Sequence, residues 1–229
     1  MQNKANIYHP LTPMHKGNAM PFSKELHQFL TQEMCINTLD LVEKIRTLEN
    51  PNHINDVCRL LEELFIAIRE KEAEAKIQKI FLSYEHLFEN EPAYAIIDPM
   101  RHAFDGFAYG GLHQLFTRQE NEAWYPKIYL TREIKPNDIA TLGETVKIYR
   151  GCSASEYAAK IYGQSWSTSK KVAEEFAYVH YQNQSWFNAE DRVVLQSTIP
   201  RSAIFYSKQH CEFEVVVNTN YLGSVRALA

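Results

Sequence analysis

The sequence is poor in the features that mark specialised protein classes. Its four cysteines, Cys35, Cys58, Cys152 and Cys211, are scattered singly with no CxxC pair. Zinc sites draw on clustered ligands, and small secreted frameworks carry denser cysteines, so reduced thiols are the expectation. Glycine (8) and proline (9) are too few for collagen-like or low-complexity chains. No apolar run approaches the roughly 18 residues of a membrane-spanning helix. The first twenty residues hold no continuous apolar stretch, so no secretory signal is expected and the cytoplasm is the default location. Charge of one sign is missing as well. Lys+Arg total 24 against 28 Asp+Glu, a net −4 that argues against a broadly basic nucleic-acid binder. Several catalytic signatures are absent: GxGxxG after a strand, a phosphate-loop lysine motif, HExxH, and a Gly-x-Ser-x-Gly elbow. His102, His113 and His180 stand at no ligand spacing.

What is present is a globular composition, 45% hydrophobic over 229 residues, enough for one domain with a sizeable extension. The charge is uneven. Residues 1–140 carry 15 basic and 20 acidic side chains, a net −5, and residues 141–229 carry 9 and 8, a net +1. Residues 1–20, with two prolines and many polar residues, read as a loose arm. Helical periodicity then dominates. Phe22, Leu26, Phe29 and Leu30 form one stripe, and Ile36, Leu39, Val42, Ile45 and Leu48 a second. From His53 to Phe88 the rhythm Val57, Leu60, Leu61, Leu64, Ile68 predicts a strong amphipathic helix, and REKEAEAK a charged turn or a break before Ile77, Ile80, Phe81 and Tyr84 resume it. Residues 99–117, rich in aromatics, predict one more helix.

After about residue 125 the runs become short, β-branched and alternating: 127–131, 145–150, 165–169, 192–199, 203–206 and 212–218. One helix, about 170–181 with Ser169 as N-cap, interrupts them. The expected organisation is therefore a loose arm (1–20), a helical part (21–125) and a β-rich part (126–229), an α+β chain with a mixed β-sheet core.

Three segments of the β-rich part carry chemistry. VKIYRG ends in Arg150 and Gly151, a planar guanidinium at a strand end that suits a phosphate. SWSTS places Ser165, Ser167 and Ser169 on one strand face, hydroxyls able to bind a ribose or hold a polar side chain. CEFEVVV places Glu212 and Glu214 two apart, on one face if the strand is regular, with Phe213, Val215 and Val217 turned into a core. Neighbouring carboxylates push their pKa values apart, which suits one as a charged anchor and the other as a base.

In this order the three motifs resemble the arginine–serine–glutamate branch of the mono-ADP-ribosyltransferases, the family of bacterial transferase toxins and vertebrate ecto-transferases. The resemblance covers about 145–220, and DRVVLQSTIPRSAIFYS is similar to the family's strand and turn before the glutamate loop. It implies a sheet core of that type and NAD as substrate, with no metal. Arg150 would hold an NAD phosphate, and Gly151 would give backbone contact to the nicotinamide amide. Ser167 would sit by the ribose and orient the catalytic glutamate, with Thr168 and Ser169 shaping the strand end. Glu214 would bond the ribose 2′-hydroxyl and stabilise the oxocarbenium, and Glu212 would deprotonate or orient the acceptor. Tyr206 is the expected acceptor contact, and Lys208 and His210 could meet an acidic partner. A protein arginine is the favoured acceptor, with a nucleic-acid base as the alternative. An intracellular toxin or effector, neutralised by an antitoxin at the acidic helical part, fits the analogy; a catalytically silent interaction module is the contrasting reading. Convergence of Arg150, Ser167 and Glu214 on one cleft separates the two.

Overall fold

The structure, a computed structural model, describes residues 20–112, 124–210 and 212–228. The expected arm and the end of the helix expected over 99–117 lie outside the described residues, as does Cys211. The chain divides into two compact units. One holds the described residues 20–109 with Trp124–Pro126, the other 110–112 and 127–228.

The first unit is helical: α1 (Lys24–Gln28) continued by a π-helical turn (Phe29–Glu33), α2 (Thr38–Arg46), α3 (Pro51–Ala67), α4 (Ala73–Ser83) and α5 (Glu91–Gly110). Its helix starts follow capping chemistry. The Ser23 hydroxyl accepts from the Leu26 N–H at 3.1 Å, and the Glu62 carboxylate accepts from both the Ser23 N–H (2.6 Å) and its hydroxyl (3.0 Å), tying α1 to α3. Asn50 caps α3 with Pro51 at the first helical position. Of the predicted stripe, Val57, Leu60, Leu61 and Leu64 are fully buried and Ile68 is half-buried. The charged segment after it is a break, with Glu72 in the left-handed region at φ 59°. The helix expected from residue 99 begins eight residues earlier. Pro99 reads locally as a helix start, but Ala93, Ile96 and Ile97 before it are buried along with Met100 and Phe104, and that packing outweighs the missing N–H.

The second unit is one six-stranded sheet of β1 (Thr145–Ser153), β2 (Ser165–Ser167), β3 (Arg192–Pro200), β4 (Ile204–Lys208), β5 (Glu214–Val217) and β6 (Arg226–Ala227). Their order is β4-β5-β2-β1-β3-β6. The fold is α+β, but every strand pairing among the described residues is antiparallel, where a mixed sheet was expected. β2 returns beside β1 after a short helix (Ala154–Ala159) but runs antiparallel to it, so even this helix-bearing connection makes no parallel pair. One face buries Val146, Ile148, Cys152, Trp166, Leu195, Val215 and Val217. On the other, α7 (Lys170–Tyr178) lays Ala173 and Ala177 against Tyr149 and Val194.

Two predicted elements change. Residues 127–131 form no extended strand beyond a single bridge at Ile128. The buried Gln164 amide instead bonds the Leu130 backbone at both N–H (2.7 Å) and C=O (2.8 Å), replacing a strand partner. A second helix, α6 (Ala154–Ala159), follows β1 directly. Ser153 accepts from the Glu156 N–H at 3.1 Å, so Ser153-x-x-Glu156 is a helix-start signature that the strand-like run through Gly151 concealed.

Candidate active site

The site is built around β2. Strand registry sets Ser165 opposite Val216 and Ser167 opposite Glu214, so Ser165, Ser167 and Glu214 share a face, with Trp166 and Val215 on the core side. The Ser165 hydroxyl donates to Glu214 Oε1 at 2.8 Å. The Ser167 hydroxyl donates instead to the Glu212 carbonyl (2.8 Å) and accepts from the Ser169 N–H (3.0 Å). The serine that orients the Glu214 carboxylate is thus Ser165, two residues before the one expected, and Ser167 holds the glutamate-bearing loop by its backbone.

Burial pushes the Glu214 carboxyl above the ordinary glutamate range. The Ser165 hydrogen bond opposes the rise, the Glu212 charge adds to it, and Lys208, its partner across β4–β5, opposes it. Glu212 lies outside the strand and is exposed. Between them Phe213 takes φ 52°, the left-handed region uncommon for a bulky side chain, and this breaks the expected same-face pairing of the two carboxylates. Phe213 is consequently 41% exposed rather than in the core. Tyr206, expected at the acceptor, is 5% exposed. A register shift between Ile204 and Tyr206 places Tyr206 opposite Val216, on the Glu214 side of the sheet. Burial, followed by the charges of Glu214 and Asp138, raises its hydroxyl pKa.

Arg150 takes the pleat opposite Tyr149, whose registry partner is Ser167, and so leaves β1 on the core side. Its Nε and Nη2 form a fork with Glu156 Oε1 (2.7 Å) and Oε2 (3.1 Å), and its Nη1 donates to the Ser165 carbonyl at 2.7 Å. Both side chains are largely buried, 11% and 17% exposed. Glu156 also accepts from the Gly163 N–H at 3.1 Å. A Cβ at Gly163 would stand 2.7 Å from Arg150 Nη2, so a side chain there would push the guanidinium out of its place. Arg150 therefore lies on the opposite face of the sheet from Ser167 and Glu214, touching Ser165 at its carbonyl while Glu214 takes its hydroxyl, and the expected convergence of Arg150, Ser167 and Glu214 on one cleft is not met. Gly151 serves packing: a Cβ there would lie 2.3 Å from the Ala173 carbonyl oxygen, so its absence lets α7 seat on β1. Ser169 caps α7 through the Val172 N–H at 3.4 Å. Thr168 donates its hydroxyl to Gln209 Oε1 at 2.6 Å.

Glu156, Ser165 and Gln209 emerge here as side chains that hold expected site residues in place. The first was legible in the Ser153-x-x-Glu156 box and the second in the alternation of SWSTS; Gln209 has no local signal. Among the described residues no cluster of three metal-ligating side chains occurs, and no helix is long and apolar enough to cross a membrane. Compared with protein-family models, curated proteins and solved structures, the chain matches none of them.

Proposed function

We propose that the sheet unit is an NAD-dependent mono-ADP-ribosyltransferase that transfers ADP-ribose to a protein arginine, as an intracellular toxin or effector. The observation that carries this reading is the Ser165–Glu214 bond at 2.8 Å beside the exposed Glu212. Nicotinamide leaves NAD as a neutral base and positive charge develops on the ribose. A carboxylate held in a water-poor place by a fixed donor stabilises that charge more than one in bulk water does. Desolvation makes Glu214 costly as an isolated anion and ready for a cation, which is the electrostatic sense of a site complementary to the transition state. Glu212, exposed two residues away, would take the acceptor's proton. Arg150 supports this through Ser165, fixing the strand that carries the donor hydroxyl, and an NAD phosphate would reach its guanidinium only by displacing Glu156.

The test is incubation with NAD labelled in the adenosine half and a whole lysate, followed separately by protease and nuclease. Label released by protease and retained after nuclease is expected. Loss to nuclease would replace arginine by a nucleic-acid base as acceptor. Glu214→Gln is expected to lower labelling by at least about a hundredfold, the size typical of a lost electrostatic group. Full labelling by a folded Glu214→Gln protein removes the site from the reaction.

A further inference from the structure

We propose that Gln209 is a positioning residue that fixes the exposed carboxylate Glu212 relative to Glu214, and so sets how ADP-ribose partitions between a macromolecular acceptor and water; the inference rests on the transferase reading above. Strand pairing holds the Glu214 backbone, which is opposite Lys208 on one side and Ser167 on the other. It does not hold Glu212, which precedes β5 beyond the left-handed Phe213. The loop that carries Glu212 is tied down by other means, and the Gln209 side chain makes three of the ties.

The Gln209 side-chain carbonyl accepts from the Thr168 hydroxyl at 2.6 Å. Its amide donates to the Ser207 hydroxyl at 3.1 Å and to the Glu214 backbone carbonyl at 3.2 Å. Its backbone N–H donates to Asp138 Oδ2 at 2.6 Å. Gln209 therefore joins the end of β4, the start of β5 and the chain just after β2. Two further bonds close the other side of the loop: the Thr168 N–H to the Phe213 carbonyl (2.9 Å) and the Ser167 hydroxyl to the Glu212 carbonyl (2.8 Å). The chemistry requires an amide. A carboxylate of the same length accepts from Thr168 but has no proton for the Glu214 carbonyl, and alanine offers neither.

The consequence follows from the two halves of the reaction. Cleavage breaks the bond between ribose C1′ and the nicotinamide nitrogen, and the electron pair leaves with nicotinamide. An acceptor lone pair then bonds to C1′, and the acceptor's proton passes to the Glu212 carboxylate. The first half depends on Glu214 and Ser165. The second, with a bulky acceptor, depends on where Glu212 stands, whereas water reaches C1′ without an anchored base. Loosening the loop therefore costs transfer more than it costs cleavage.

Gln209→Ala and Gln209→Glu separate the two. Nicotinamide release and label in the acceptor are measured together, and amide hydrogen exchange over 209–214 reads the loop without NAD. Faster exchange in both variants is expected, with nicotinamide release little changed and the ratio of transfer to release lowered by about tenfold, a modest part of what a misplacement near 1 Å costs. A loosened loop with an unchanged ratio overturns the inference, as does exchange that stays slow in both variants. Wild-type protein that releases no nicotinamide overturns the transferase reading itself, whatever the exchange shows.

Discussion

The two units bury different things. Among the described residues the helical unit buries apolar faces, Leu60, Leu61, Leu64, Ile96 and Phe104 among them, and only one polar side chain, Thr38. The sheet unit buries Gln164, Ser167, Ser197 and Ser207 within its core of valines and isoleucines. Apolar burial is non-directional and tolerant of repacking. Buried polar groups require partners at fixed places, and they are costly when those partners are lost. The helical unit is thus organised for stability, and the sheet unit accepts the demands of polar burial, two of its four buried polar side chains, Ser167 and Ser207, lying on the strands that flank β5.

The sharpest way to break this comparison is a cavity in the helical unit. Phe104→Ala removes a fully buried ring and is expected to cost about 3–5 kcal/mol in denaturant unfolding. The protein that remains folded should release nicotinamide at the wild-type rate per molecule, and a parallel fall in that rate would show that the helical unit shares in the chemistry.

Next comes the ion pair. Arg150→Ala leaves Glu156 largely buried without its partner, and about 3–5 kcal/mol of destabilisation is expected. Arg150→Met with Glu156→Leu should recover most of that stability without the guanidinium. If activity returns with stability, Arg150 is a strut; if stability returns alone, the guanidinium touches NAD. A smaller effect is expected from Ser165→Ala, about 1–2 kcal/mol lost from one part-buried hydrogen bond. Its signature is in pH. The bond holds the Glu214 pKa down against burial, so removing it moves the acid limb of nicotinamide release to higher pH. The same substitution at Ser167 should not move that limb, because Ser167 bonds a carbonyl.

The smallest effect runs opposite to the rest. The folded-state pKa of Glu214 is raised, so its protonated form favours folding. That contribution is complete below the unfolded value of about 4.3 and is lost as pH rises through the folded one. Glu214→Gln, inactive, should therefore melt slightly above wild type at neutral pH, with the gain vanishing in acid. A lower melting temperature at neutral pH would mean that the carboxylate is stabilised by more than its visible partners.

Much of this molecule was legible in the order of its residues. The buried stripe of α3, the Ser169 cap and the core-facing Val215 and Val217 all follow from local periodicity and capping, while REKEAEAK leaves a helical turn and a break equally open. Periodicity failed where a local conformation departs from the regular one. Left-handed Phe213 and the register shift before Tyr206 exchange the expected places of the two aromatics, one outward and one inward. It failed again where a side chain stands in for a strand, as Gln164 does against Leu130.

The sequence by itself determined the α+β class, the division into a helical and a β-rich stretch, and the three short segments with chemical character. These rest on hydrophobic spacing and on residue chemistry, and both act within a few residues. Only the tertiary structure decided that Ser165 rather than Ser167 meets Glu214, that Arg150 is forked by Glu156, and that Gln209 ties the loop to Thr168. Each of these depends on which strands pair and in what register. A one-residue change of register turns a side chain to the other face, and no local rule fixes it.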